Sequence, residues 1–146
     1  MWDNILEEKI TSLLKENNLQ KHKIEQIESA RVQEMDNLFK ELITVVDVFE
    51  KSEKIIQERE LDKTEEAQKA INRILLAKKK LLSVLENNAV KKIELSNNML
   101  DDDLCIVAET MPDANHPNNL VLEIIKNGYY REERVLRRAE VVIVKN

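Results

Sequence analysis

The chain has 146 residues, 35% of them charged, a net charge of −5, and only 1 Gly, 2 Pro, 1 Cys, 1 Trp, 2 Tyr and 2 Phe. A single Gly argues against a P-loop, a Rossmann turn or a loop-dense β sandwich, and a single Cys excludes an internal disulfide framework or a multi-cysteine zinc site. The acidic balance disfavours nucleic acid, and with neither an 18-residue apolar window nor a signal-peptide pattern the reading is a soluble, reducing-compartment, cytoplasmic, mostly helical protein.

From Trp2 to about Gln57 there is no Gly or Pro. Leu6, Ile10, Leu13, Asn17, Gln20, Ile24, Ile27, Arg31, Met35, Leu38, Leu42, Val45, Phe49 and Ile56 recur in alternating steps of four and three, broken by one offset near Met35 and a polar Ser52. A period near 3.5 is the pattern of helices that wrap around one another. Asn17, Gln20 and Arg31 thin that seam and set register. A helix of about 55 residues would run about 80 Å. A compact chain of this length has a radius of gyration near 15 Å. The apolar stripe therefore needs a second chain, and an identical one is the default. The expected dimer contacts are Leu13, Ile24, Ile27, Leu38, Leu42, Val45 and Phe49. Residues 1–60 carry 9 Lys+Arg against 14 Asp+Glu, so this stalk holds the whole net charge.

Gln57 to Glu66 reads as a loop, with Asp62 and Glu65 as a capping box for a second helix from about Thr64 to Asn88. Ala67, Ile71, Ile74, Leu75, Leu81, Leu82 and Leu85 form its expected buried side, and Lys78, Lys79 and Lys80 read as solvated surface. Two antiparallel helices per chain, doubled by dimerisation, give a four-helix bundle. After Val90, Leu104–Glu109, Leu120–Lys126 and Val135–Lys145 read as strands, parted by the turn-forming segment Met111–Asn119 and a bend at Asn127-Gly128. The small β region is expected to depend on the bundle for stability. The fold class is thus mostly α with a small C-terminal all-β domain: a long paired N-terminal helix, a dimeric four-helix bundle and a β wing. Its parts are residues 1–60 (stalk and first bundle helix), 61–89 (loop and second bundle helix) and 90–146 (β domain).

Catalytic groups are sparse. His22 and His116 lack a carboxylate or Cys at ligand spacing, Cys105 reads as a small core residue, and Asp101–Asp103 reads as a solvated turn without the spacing of a calcium loop. No catalytic residue, metal or cofactor is expected.

The C-terminal string Gly128-Tyr129-Tyr130-Arg131-Glu132-Glu133-Arg134-Val135-Leu136-Arg137-Arg138-Ala139-Glu140-Val141-Val142-Ile143-Val144-Lys145 resembles the end of the GrpE family, a K-G-Y turn, then R-V-L-R-P-A, then V-x-V-x-K. Gly128, Tyr129, Arg134, Val135, Leu136, Arg137, Ala139, Val141 and Lys145 match without a gap. Glu41-Leu42-Ile43-Thr44-Val45-Val46-Asp47 with Glu50-Lys51 is similar to the family's E-L-L-P-V-x-D…D/E-R/K. Asn18-Leu19 with Lys21 matches its N-L-x-[RK] spot, and Leu100-Asp101 its F/L-D-P. Thr44, Asp102 and Arg138 stand where the family has proline, Ala89 and Asn119 where it has glycine, and Cys105 where it has histidine. The stalk reads as short, without the family's acidic leader.

The resemblance implies a homodimeric co-chaperone active in protein folding and stress response. Its β domain would open the nucleotide cleft of a DnaK-type ATPase domain, so that ADP leaves and ATP enters. It implies partner contacts at Arg134, Arg137, Leu100, Ile125, Lys51 and Lys21, with Arg134 as the chief contact and Arg137 also satisfying its charge within the domain. It implies no enzymatic activity, no nucleic acid and no membrane. Two other readings remain open: a structural coiled-coil homodimer with a β cap and no exchange activity, and an enzyme built on Asp101–Asp103.

Overall fold

The computed structural model describes residues 1–146. Helix α1 spans Trp2–Glu58, as a stretch without Gly or Pro should, and α2 spans Glu65–Asn87. The chain separates into two compact units, Met1–Asn37 and Leu38–Asn146.

The first unit is helix alone. No side chain from Met1 to Met35 is buried or half-buried. Its seam positions Leu6, Ile10, Leu13, Ile24 and Ile27 are each about half exposed or more.

In the second unit the remainder of α1 folds against α2. Phe39, Ile43 and Val46 of α1 share one cluster with Leu85 of α2, and Leu42, Leu81 and Leu82 pack against it. Further along α1, Glu53 pairs with Lys78, which lies earlier on α2. Contacts that advance on one helix and retreat on the other define an antiparallel hairpin. The start of α2 differs from expectation. Thr64 is the N-cap, its Oγ1 accepting from the Ala67 amide at 3.2 Å, while Asp62 offers only its backbone carbonyl, to Gln68. The helix begins too late for Asp62 to cap it. Two surface assignments also change. Ile74 is 59% exposed, whereas Lys78 is half-buried. Residues 67, 71, 75, 78, 82 and 85 form the inward stripe, which Lys78 joins by pairing with Glu53 and which Ile74 misses.

The last third holds β1 (Val90–Lys92), a 3-10 turn (Ser96–Asn98), β2 (Cys105–Met111), β3 (Val121–Lys126), β4 (Tyr129–Arg131), β5 (Arg134–Arg137) and β6 (Ala139–Val144). They make two three-stranded sheets, β1-β4-β5 and β2-β6-β3. The first is antiparallel. In the second, β6 is central, parallel to β2 and antiparallel to β3. A strand covered on both faces reads as an unbroken apolar run, and Val141, Val142, Ile143 and Val144 are all buried. The expected single strand Val135–Lys145 is in fact two, belonging to different sheets and parted at Arg138. The charged stretch Arg137-Arg138-Ala139-Glu140 interrupts the apolar residues at that corner, but it holds neither Gly nor Pro to mark a break between strands. The strands β1 and β4 have three residues each, too few to show a period.

Each sheet has its own core. Val90, Tyr129 and Leu136 of the first sheet join the helical cluster of Phe39, Ile43, Val46 and Leu85. Cys105, Ala139, Val141 and Ile143 of the second are packed by Leu95, Leu100, Leu104 and Val121, with no helical residue among them. The fold is mostly helical with a small all-β C-terminal region, as the sequence predicts.

Candidate partner-binding surface

A two-residue turn, Glu132-Glu133, joins β4 to β5 and sets Arg131 opposite Arg134. Glu132 takes φ 55, a left-handed conformation in which Gly or Asn is more at ease. From there its carboxylate reaches the Arg134 guanidinium at 3.1 Å. The Arg134 side chain remains 41% exposed. It stands at the tip of a hairpin whose other end is anchored by Leu136 in the helical cluster.

Arg137, three residues on, is engaged within the chain. Its NH1 and NH2 donate to both carboxylate oxygens of Asp47 at 2.5 and 2.8 Å, and its Nε and NH2 donate to the Asn127 carbonyl at 3.2 and 2.6 Å. The guanidinium carbon lies 5.8 Å from the Tyr129 ring centre. The Asp47 bond raises the Arg137 pKa, and burial opposes it more weakly. Burial pushes the Tyr129 phenol up to about 12, assisted by the negative charge of Glu50.

Leu100 is half-buried against the second core, its amide donating to the Asn119 carbonyl at 2.9 Å. Ile125 is 47% exposed on β3. It is not alone. Leu122 and Ile124 on the same strand, and Ile106, Val107 and Met111 on β2, are also exposed, so both outer strands of the second sheet present apolar side chains. The sequence reading singled out only Ile125. The others follow from the edge position of β2 and β3, which periodicity does not reveal. Lys51 is exposed on the second unit's part of α1, and Lys21 is exposed on the first unit. Among the expected dimer contacts, Leu13, Ile24, Ile27, Leu38 and Val45 are exposed, whereas Phe49 is half-buried and Leu42 is partly covered by its own chain's cluster.

Both histidines do have carboxylate neighbours, contrary to the sequence reading. His116 Nδ1 lies 2.7 Å from Asp113, and His22 Nδ1 lies 3.5 Å from Glu25. Each pair is three residues apart, a spacing that a tight loop and a helix turn both close. The His116 bond, followed by that from the Asn115 amide, holds the Asp113 carboxyl below its usual range. No three His, Cys, Asp or Glu side chains gather as a metal site would need. Asp101 instead accepts from the Asp103 amide at 2.9 Å, closing a local turn, and Cys105 is buried in the second core. No helix is long and apolar enough to cross a membrane.

The arrangement is an arginine at a hairpin tip and a sheet whose outer strands expose apolar side chains. The sequence model of the GrpE family matches residues 4–145. The chain is 28% identical to Protein GrpE of Francisella tularensis subsp. tularensis (strain WY96-3418) over 144 residues, covering 99% of this chain and 71% of that one. The corresponding protein of Francisella philomiragia subsp. philomiragia is also 28% identical over 144 residues, with 73% of its length covered. Matched by the family's model along nearly its whole length, residues 4–145, the chain belongs to the GrpE family.

Proposed function

We propose that this chain is a homodimeric co-chaperone that accelerates nucleotide exchange on a DnaK-type chaperone in the cytoplasm. Membership of the GrpE family over residues 4–145 carries this reading. Three stretches divide the work: residues 1–60 pair two chains, 61–89 complete a four-helix bundle, and 90–146 engage the ATPase domain. Pairing through Leu13, Ile24, Ile27, Leu38, Leu42, Val45 and Phe49 would cover the exposed seam of α1. The second sheet offers Ile125 and its apolar neighbours, Arg134 offers a planar fork to a carboxylate, and Lys21, Lys51 and Leu100 extend the contact.

The mechanism is differential binding. A partner that holds the open lobes of an ATPase better than the closed lobes shifts the population toward open, and bound ADP loses its contacts. No bond is made or broken.

The test is release of a fluorescent ADP analogue from a DnaK-type chaperone, with the protein titrated from limiting to saturating concentration. Acceleration is expected, and truncation after Asn88 should abolish it. Arg134→Ala should raise the half-saturating concentration, by about 2–5 kcal/mol if the fork is buried on binding and far less at a rim. Arg134→Lys should fall between the two. An Arg134→Ala protein that matches wild type at limiting concentration removes Arg134 from the contact.

A further inference from the structure

The backbone passes between the two sheets three times, and two of these crossings touch. One is Asn127-Gly128, between β3 and β4, and the other is Arg138, between β5 and β6. A Cβ on Gly128 would stand 2.6 Å from the Ala139 nitrogen and 3.0 Å from the Arg137 carbonyl oxygen, so the crossings are in backbone contact. The first sheet is fixed to the helices by a shared apolar core. The second has no helical residue in its core. The links from α1 to the crossings and to β3 are polar, and Arg137, the last residue of β5 in the first sheet, stands beside the crossing at Arg138. Arg137 binds Asp47 through two N–H bonds and the Asn127 carbonyl through two more. The Asn127 side-chain amide donates to Glu50 at 3.1 Å, and Lys54 reaches Glu123 of β3 at 3.3 Å. Asp47, Glu50 and Lys54 are spaced by three and four, one face of α1 turned to this junction.

We propose that Asp47 and Arg137 are positioning residues that clamp the crossing to α1 and thereby set the angle at which the second sheet is presented to the chaperone. This rests on the exchange reading above and gives Arg137 a role other than partner contact. A guanidinium with four N–H bonds spent inside the chain has little left for another protein. Its two acceptors, Asp47 on the helix and Asn127 on the crossing, are the parts whose relative placement fixes that angle. Apolar packing tolerates sliding, whereas a bidentate pair fixes geometry. The clamp should therefore govern how far a bound partner is opened more than how tightly it is held.

The experiment uses the full chain with Asp47→Asn, which keeps shape and removes charge, and Arg137→Lys, which keeps charge and removes the fork. Release of the fluorescent ADP analogue is titrated to saturation. Both variants should lower the maximal release rate about tenfold, the scale of one lost charge-assisted bond, and leave the half-saturating concentration within about threefold of wild type. Hydrogen exchange of the free protein supplies a readout that needs no chaperone. The Ile93 and Ala139 amides, bonded to the Gly128 and Leu104 carbonyls at 2.8 Å each, should exchange about tenfold faster in Asp47→Asn, while the α1 amides around Ile43 stay protected. Failure of wild type to accelerate release would overturn the exchange reading alone, since hydrogen exchange still judges the clamp. Unchanged protection at Ile93 and Ala139, or a raised half-saturation with full maximal rate, overturns the clamp. General loss of protection, α1 included, would also overturn it by making the pair a determinant of folding.

Discussion

Gly128 and Ala139 meet backbone to backbone, leaving 2.6 Å between the Ala139 nitrogen and the place where a Cβ of residue 128 would stand. Ile93 Cδ1 would be 2.8 Å from the same point. The residue's φ is not in the left-handed region, so its glycine answers a need for space and not for dihedral freedom. Gly128→Ala should cost about 1–3 kcal/mol, as overpacking does. Urea unfolding followed by tyrosine near-ultraviolet circular dichroism measures it, and a midpoint equal to wild type would refute the close approach.

Ala89 should be improved by the opposite change. It follows the helix C-cap Asn88 and takes φ 62, where a Cβ is strained by about 1–2 kcal/mol. Glycine removes the strain and adds unfolded-chain entropy worth about 0.5–1 kcal/mol. Ala89→Gly should therefore gain a few tenths to about 1 kcal/mol, seen as a higher thermal midpoint. A lower midpoint would show that the Cβ contributes packing that outweighs its strain.

Tyr129 makes stability fall at alkaline pH. Burial raises its phenol pKa from the ordinary 10 to about 12. Below pH 10 the phenol is neutral in folded and unfolded chains alike, and its contribution is fully present. As the pH rises through about 12 the unfolded chain ionises first, and stability on the order of 2 kcal/mol is lost. Denaturation midpoints between pH 9 and 12 should decline more steeply in wild type than in Tyr129→Phe. Parallel curves would place the titration elsewhere.

Much of this fold is legible in sequence because α1 lacks Gly and Pro and α2 ends in Asn87-Asn88. The buried apolar run of β6 is likewise plain. What escapes has physical causes. The corner at Arg138 carries no Gly or Pro, only the charged stretch Arg137-Arg138-Ala139-Glu140, and so reads as the middle of one strand. Lys78 looks solvated until α1 places Glu53 beside it. The engagement of Arg137 with Asp47 depends on residues 90 positions apart, which no local pattern connects. Arg134 can be found from the family motif, but its ion pair with Glu132 depends on the left-handed turn.

Pairing of chains through the α1 seam can be tested where one chain's own fold is not at stake. Leu42 is a poor probe because it packs against its own cluster. Ile24 is 55% exposed in the single chain. Ile24→Asp should leave the unit from Leu38 to Asn146 folded and weaken association by several kcal/mol, since it puts an unpaired charge into an apolar seam. Sedimentation over a concentration series measures this. Wild type that stays monomeric at micromolar concentration, or Ile24→Asp that associates like wild type, would remove the seam from the interface.

The bareness of α1 up to Met35 has a consequence for dilution. A helix with no buried side chain gains no apolar burial from its own chain, and an isolated helix is marginal in water. Its order must be supplied by encounter with another molecule, so the ellipticity of the first 37 residues becomes a gauge of how many molecules share the solution. The strands and the α1–α2 hairpin, closed on their own cores, should show no such memory of concentration.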